Sequence, residues 1–120
     1  MKIPGPDHPI TVTPAAGRVV VRFAGEVVAD TRHALELREA SYPAVLYIPR
    51  GDAAMAHFAR TAHSTHCPYK GDASYFDLAA GPAKAANAVW SYEAPYPAMA
   101  AIKDHLAFYP QHVAIERTPA

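Results

Sequence analysis

Arg18-Val19-Val20-Val21-Arg22-Phe23-Ala24-Gly25-Glu26-Val27-Val28-Ala29 reads as two strands and the turn between them. Val19, Val21 and Phe23 alternate with Arg18, Val20 and Arg22, so one face is the more apolar, as a period of two gives when a sheet buries one side. Gly25 can supply the positive φ of a tight turn, after which 26–29 returns as the partner strand. The same signature recurs downstream. Leu35 and Leu37 alternate with Glu36 and Arg38, and this pattern is read as strand against the helix propensity of the same residues. Pro43 and Pro49 bracket Ala44-Val45-Leu46-Tyr47-Ile48, whose bulky residues point to both faces as in a buried strand.

Asp52 is expected to cap a short helix over 53–58, with Met55 and Phe58 on one face. Segments 60–67, 73–79 and 85–92 then form a meander, turning at Pro68-Tyr69-Lys70-Gly71-Asp72 and at Gly81-Pro82. Pro97 opens a second short helix carrying Met99 and Ile102. Segment 106–109 is expected to pair across Pro110-Gln111 with 113–116. Twelve prolines and six glycines recur along the whole chain instead of clustering in one linker, which is the punctuation of a mainly β protein with one or two short helices.

A chain of 120 residues, 51% hydrophobic, is near the commonest domain size and is expected to form one domain with a core of its own over 1–120, its first 15 residues partly flexible. Eleven basic residues balance eleven acidic ones with no basic run, so neither nucleic acid nor an anionic membrane is the expected partner. Met1-Lys2-Ile3-Pro4-Gly5-Pro6-Asp7 lacks the apolar core of a signal peptide, and no apolar run approaches membrane-spanning length. A cytoplasmic location is the expectation. The single cysteine cannot form an internal disulfide, which agrees with a reducing compartment.

Three motifs occur in order: Thr65-His66-Cys67-Pro68-Tyr69-Lys70-Gly71, Val89-Trp90-Ser91-Tyr92-Glu93-Ala94-Pro95 and Leu106-Ala107-Phe108-Tyr109-Pro110. Together they resemble the small, mainly bacterial domain-of-unknown-function family four-two-seven, over about 18–116. Glu39, Tyr47, Pro49 and Asp52 also resemble a family motif, and of these only Glu39 invites a functional reading. The resemblance implies bent antiparallel sheets, similar to the tent-shaped fold of the zinc-binding exchange-factor-like group. It implies no activity. A nucleotidyltransferase label sometimes attached to this family is not carried over, because Asp52, Asp72, Asp77 and Asp104 form no Asp-x-Asp pair for two-metal phosphoryl transfer.

The first motif crowds a thiol, an imidazole, a phenol and an ammonium group into seven residues. Cys67 precedes a proline and so belongs at a strand end, where a neighbouring Lys70 or His66 would favour the thiolate of a nucleophile. The competing reading is a small hydrophobe filling space. His63, His66 and Cys67 do not make a metal site. At roughly 3.3 Å per residue His63 and Cys67 lie about 13 Å apart, with His66 on the opposite face. The zinc sites of the tent-fold relatives use paired cysteines, which this sequence lacks, and neither metal nor cofactor is expected. Lys70-Gly71 lacks the preceding glycine-rich loop of a phosphate-binding motif.

Trp90 and Tyr92 share a face, with Tyr75 on the neighbouring strand of the meander. Aromatics with polar tips, rimmed by Lys70, Glu93 and Arg50, are how a small-ligand pocket is commonly lined, although core packing explains them as well. The leading expectation is therefore a metabolite-binding domain whose site lies at the Cys67-to-Lys70 turn over Tyr75, Trp90 and Tyr92. The alternative is a thiol-dependent enzyme using Cys67, supported by His66 or Lys70. A third class is a self-associating module, a homodimer built on the aromatics.

Overall fold

The structure, a computed structural model, describes residues 1–119. Among them ten strands run in chain order: β1 Ile10–Pro14, β2 Arg18–Phe23, β3 Glu26–Thr31, β4 Leu35–Glu39, β5 Val45–Tyr47, β6 Phe58–Cys67, β7 Gly71–Ala80, β8 Ala83–Ser91, β9 Ala107–Phe108 and β10 Ala114–Thr118. Short 3-10 turns occupy Arg50–Asp52, Met55–His57 and Pro97–Ile102. The fold is mainly β, and the strands form three antiparallel sheets in the orders β1-β4-β5, β10-β2-β3 and β6-β7-β8-β9. No helix is long and apolar enough to cross a membrane among the described residues.

The hairpin at 18–29 forms with Phe23 opposite Glu26. Its two turn residues, Ala24 at φ 50° and Gly25 at φ 85°, both lie in the left-handed region, which matches the twist of the flanking strands. Gly25 adopts this without strain, whereas Ala24 carries a modest cost. The meander also forms, and its turn is tighter than the sequence suggests: Cys67 pairs with Gly71, leaving Pro68, Tyr69 and Lys70 as the loop. Gly71 sits at φ 107°, with the Ala94 carbonyl 3.4 Å from where a Cβ would stand.

Two local expectations are corrected, and one strand is added. Segment 106–109 does not pair with 113–116; β9 is the fourth strand beside β8, placing Phe108 opposite Val89, while β10 lies against β2 with Ile115 opposite Val21. Both partners offered an open sheet edge, and burying Phe108 against Phe58 outweighs the short loop of a local hairpin. Asp52 caps no helix. Its carboxylate accepts a hydrogen bond from Thr31 Oγ at 2.6 Å, and 53–58 forms one 3-10 turn that runs into β6 instead of an α-helix. Strand β1, which the sequence reading left within the N-terminal segment, pairs with β4 from Ile10–Glu39 to Pro14–Leu35.

The sheets enclose two apolar clusters. One gathers Val19, Val21, Phe23, Val28, Phe76, Leu78, Val89 and Phe108; the other gathers Leu37, Tyr47, Tyr75, Tyr92, Met99 and Ile102, with Trp90 and Tyr109 packed against it. Alternation along β7 sends Phe76 to the first and Tyr75 to the second, so this strand is buried on both faces. The β1-β4-β5 sheet meets the β6-β9 sheet through one isolated bridge, in which Ile48 and Leu106 exchange backbone hydrogen bonds of 2.8 Å. On the side of the second cluster the two sheets face each other, and the space between them remains partly open.

Candidate functional site

That opening is a cleft of about 400 Å³, within the size range of small-molecule sites. Each sheet supplies one wall. From β4 and β5 come Leu37, Glu39, Val45 and Tyr47; from the meander and its flanks come Cys67, Lys70, Tyr75, Trp90, Tyr92 and Tyr109. Register explains the grouping. Leu37 lies opposite Val45, Tyr75 opposite Trp90 and Trp90 opposite Ala107, so side chains two residues along each strand share the cleft face.

One end of the cleft is polar. Lys70 is only 6% exposed, although it occupies a turn, because the chain folds back over it: its carbonyl accepts a hydrogen bond from the Tyr96 N–H at 3.0 Å. Its ammonium group donates to Glu39 Oε1 and lies 3.8 Å from the Cys67 sulfur. Glu39 Oε2 is bonded in turn by His8 Nε2 at 2.7 Å. Burial works to raise the Glu39 pKa, but the donors Lys70 and His8 outweigh it and hold this carboxyl below its ordinary value. The N-terminal segment closes over the same turn: Lys2 N–H donates to the Pro68 carbonyl at 2.8 Å, and the His8 ring stacks on Tyr69 at 4.2 Å.

The floor is aromatic and rich in hydroxyls. Trp90 Nε1–H donates to Tyr47 Oη at 3.3 Å, and the Trp90 and Tyr109 rings lie 4.5 Å apart. Tyr75 Oη shares hydrogen bonds with Thr65 at 2.9 Å and Tyr109 at 3.4 Å. Burial pushes the phenols of Tyr47 and Tyr92 well above their ordinary value. Tyr109 is pushed up to about 12, by burial first and then by Tyr75. These phenols therefore keep their protons near neutral pH. Lys70 and these phenols line the same cleft, which thereby offers hydrogen-bond donors beside an aromatic wall.

The structure thus gathers Cys67, Lys70, Tyr75, Trp90 and Tyr92, together with Glu39, around one space and places His66, Arg50 and Glu93 outside it. His66 alternates with Cys67 on β6 and points away, where its Nδ1 bonds the exposed Asp72 at 2.7 Å. Arg50 and Glu93 bind each other at 2.9 Å. Arg50 also donates to the buried Ser91 hydroxyl at 2.9 Å, and Arg60 completes the group by pairing with Glu93. Hydrogen bonds from Arg60, and then Arg50, against the opposing effect of burial, bring the Glu93 carboxyl down to about 2. Both arginines lie over Phe76, at 5.4 and 5.2 Å, on the face of β7 opposite the cleft.

Sequence reasoning singled out Glu39 without connecting it to Lys70, named Tyr47 and Tyr109 within motifs without giving either a place in the site, and missed His8. Period-two alternation carried a signal for the two tyrosines, since Tyr47 is two residues from Val45 and Tyr109 two from Ala107. No sequence signal pointed to His8. Among the described residues no three His, Cys, Asp or Glu side chains come together to hold a metal ion. A family model described as Domain of unknown function (DUF427) matches residues 11–118. No curated protein matches the chain.

Proposed function

The chain belongs to the DUF427 family, and since that description names no activity, we propose from the cleft itself that the protein binds a small metabolite between its two sheets. The ligand carries a carboxylate or carbonyl oxygen at one end and a flat or apolar body. Its oxygen accepts hydrogen bonds from Lys70 and the neighbouring phenols, while the body lies against Trp90 and Tyr109. The observation that carries this reading is the buried Lys70 ammonium, kept at the wall of an open aromatic cleft with Glu39 as its counter-ion. Keeping such a pair out of water is costly, and a recognition role accounts for it better than packing does.

The test is a thermal-shift screen of small carboxylates and carbonyl compounds on wild type and on the double variant Glu39→Gln/Lys70→Met. Removing both charges together avoids stranding either one in the interior, so the double variant is expected to stay folded. Hits should stabilise the wild type and lose roughly tenfold or more in affinity for the double variant, as expected for about 1.5 to 3 kcal/mol in a charged hydrogen bond. Equal stabilisation of both proteins would place the ligand elsewhere.

The 3.8 Å approach of Lys70 Nζ to Cys67 Sγ supports a second reading, in which Cys67 is the nucleophile of a thiol-dependent enzyme and Lys70 steadies its anion. Iodoacetamide should then alkylate Cys67 in the folded protein, and more slowly in Lys70→Met. A thiol that reacts only after unfolding would make Cys67 a packing residue. Self-association has less support, because Tyr75 and Tyr92 are buried along the cleft instead of forming an outer surface.

A further inference from the structure

Beyond the polar cleft lies a second opening, of about 360 Å³, that shares four wall residues with it: Tyr42, Pro43, Val45 and Trp90. Its remaining lining comes from Ala44, Leu46, Phe108, Pro110 and Ile115, none of which has a polar side chain. The space follows from the sheet junction. Beside it the two sheets are joined at the Ile48–Leu106 bridge, and Ile115 of β10, a strand that lies against β2, reaches the opening from a third sheet. The mouth is apolar as well. Tyr42 is 66% exposed and Ile115 37%, an outlay of exposed apolar surface at the rim of a depression that marks binding sites more often than bare surface.

The two spaces adjoin at Tyr42, Pro43, Val45 and Trp90, a donor-bearing cleft beside an apolar annex. We propose that the ligand is an amphipathic molecule, a carboxylate or carbonyl head on an unbranched medium-length apolar tail, whose tail passes Trp90 and lies in the annex between Leu46, Phe108 and Ile115. The proposal rests on the cleft reading above and adds the class of ligand. The head meets Lys70 and the tyrosine hydroxyls, and the tail displaces water from surface that this fold otherwise leaves wet. Tyr42 and Pro43 line both spaces.

Trp90 is the chain's single tryptophan, so its fluorescence reports occupancy directly. The experiment titrates wild type and Ile115→Glu with straight-chain carboxylates from acetate to decanoate and with the matching methyl ketones, below micelle formation. Decyltrimethylammonium serves as the head-group control. Affinity in the wild type should rise with chain length by up to about fourfold per buried methylene. In Ile115→Glu, which puts a charge at the half-exposed rim and should retain a cooperative thermal transition, the gain per methylene should vanish. Short compounds that bind without any gain on lengthening, or a gain that survives Ile115→Glu, would overturn the annex and leave the cleft reading standing. Equal binding of decyltrimethylammonium and decanoate would overturn it too, by showing apolar adsorption without recognition of the head. If no carboxylate or ketone of any length perturbs Trp90, both the annex and the cleft reading fall.

Discussion

Lys70 and Glu39 show how burial changes the meaning of a residue. A lysine in a turn next to proline and glycine reads as solvent-facing, and its removal would then hardly affect stability. Here the ammonium is buried and Glu39 depends on it, so Lys70→Ala alone leaves a partly buried carboxylate short of a partner. Charge pairs elsewhere behave differently. Glu93 is 26% exposed on its side chain and joins Arg50 and Arg60 on the far side of β7. Its carboxyl pKa falls from 4.5 to about 2 on folding. A depressed folded value means that the unfolded chain takes up the proton first. The stabilisation is therefore complete above about pH 4.5 and is lost as pH falls toward 2. Glu93→Gln should lower stability at pH 7 by about 2 kcal/mol, after allowance for solvent screening. It should also flatten the acid limb of a denaturation series between those values. An unchanged acid limb would show that the arginine cluster contributes nothing to folding.

At the level of elements, the sequence was most legible where pairing is local and alternating. The hairpin at 18–29 and the meander from β6 to β8 follow from period-two patterning and turn chemistry, and both form. Pro97 likewise opens a 3-10 turn that buries Met99 and Ile102. Reading failed where pairing is distant. β9 and β10 are adjacent in sequence, yet β9 joins β8 and β10 joins β2, because each completes an edge that a local hairpin would have left open. β1 was missed for a related reason: Ile10-Thr11-Val12-Thr13-Pro14 alternates only briefly, and its partner β4 begins 21 residues after Pro14. The same limit applies to the site. Tyr75, Trp90 and Tyr92 could be grouped because they lie on neighbouring strands of one meander. Arg50 and Glu93 could not be excluded, since the side of the sheet they occupy is set by tertiary packing that local pattern does not encode.

Across the whole molecule, the cleft exists because two sheets are tied at one bridge and buttressed by Pro97–Ile102, leaving their facing walls apart. A protein of this size normally closes such a gap with side chains. In this chain Tyr47, Tyr75, Trp90 and Tyr109 line it without filling it, while Lys70 and Glu39 hold a charged pair at its inner end. The N-terminal segment, through Lys2 and His8, braces the turn that carries Lys70, so the site draws on residues from Lys2 to Tyr109. The most direct test of the central claim is a crystal structure of the wild-type protein with the tightest hit from the thermal-shift screen. The account predicts a ligand oxygen within hydrogen-bond distance of Lys70 Nζ or Tyr75 Oη, with the ligand body against Trp90. A ligand resting on any other surface, with this cleft holding only solvent, would contradict it.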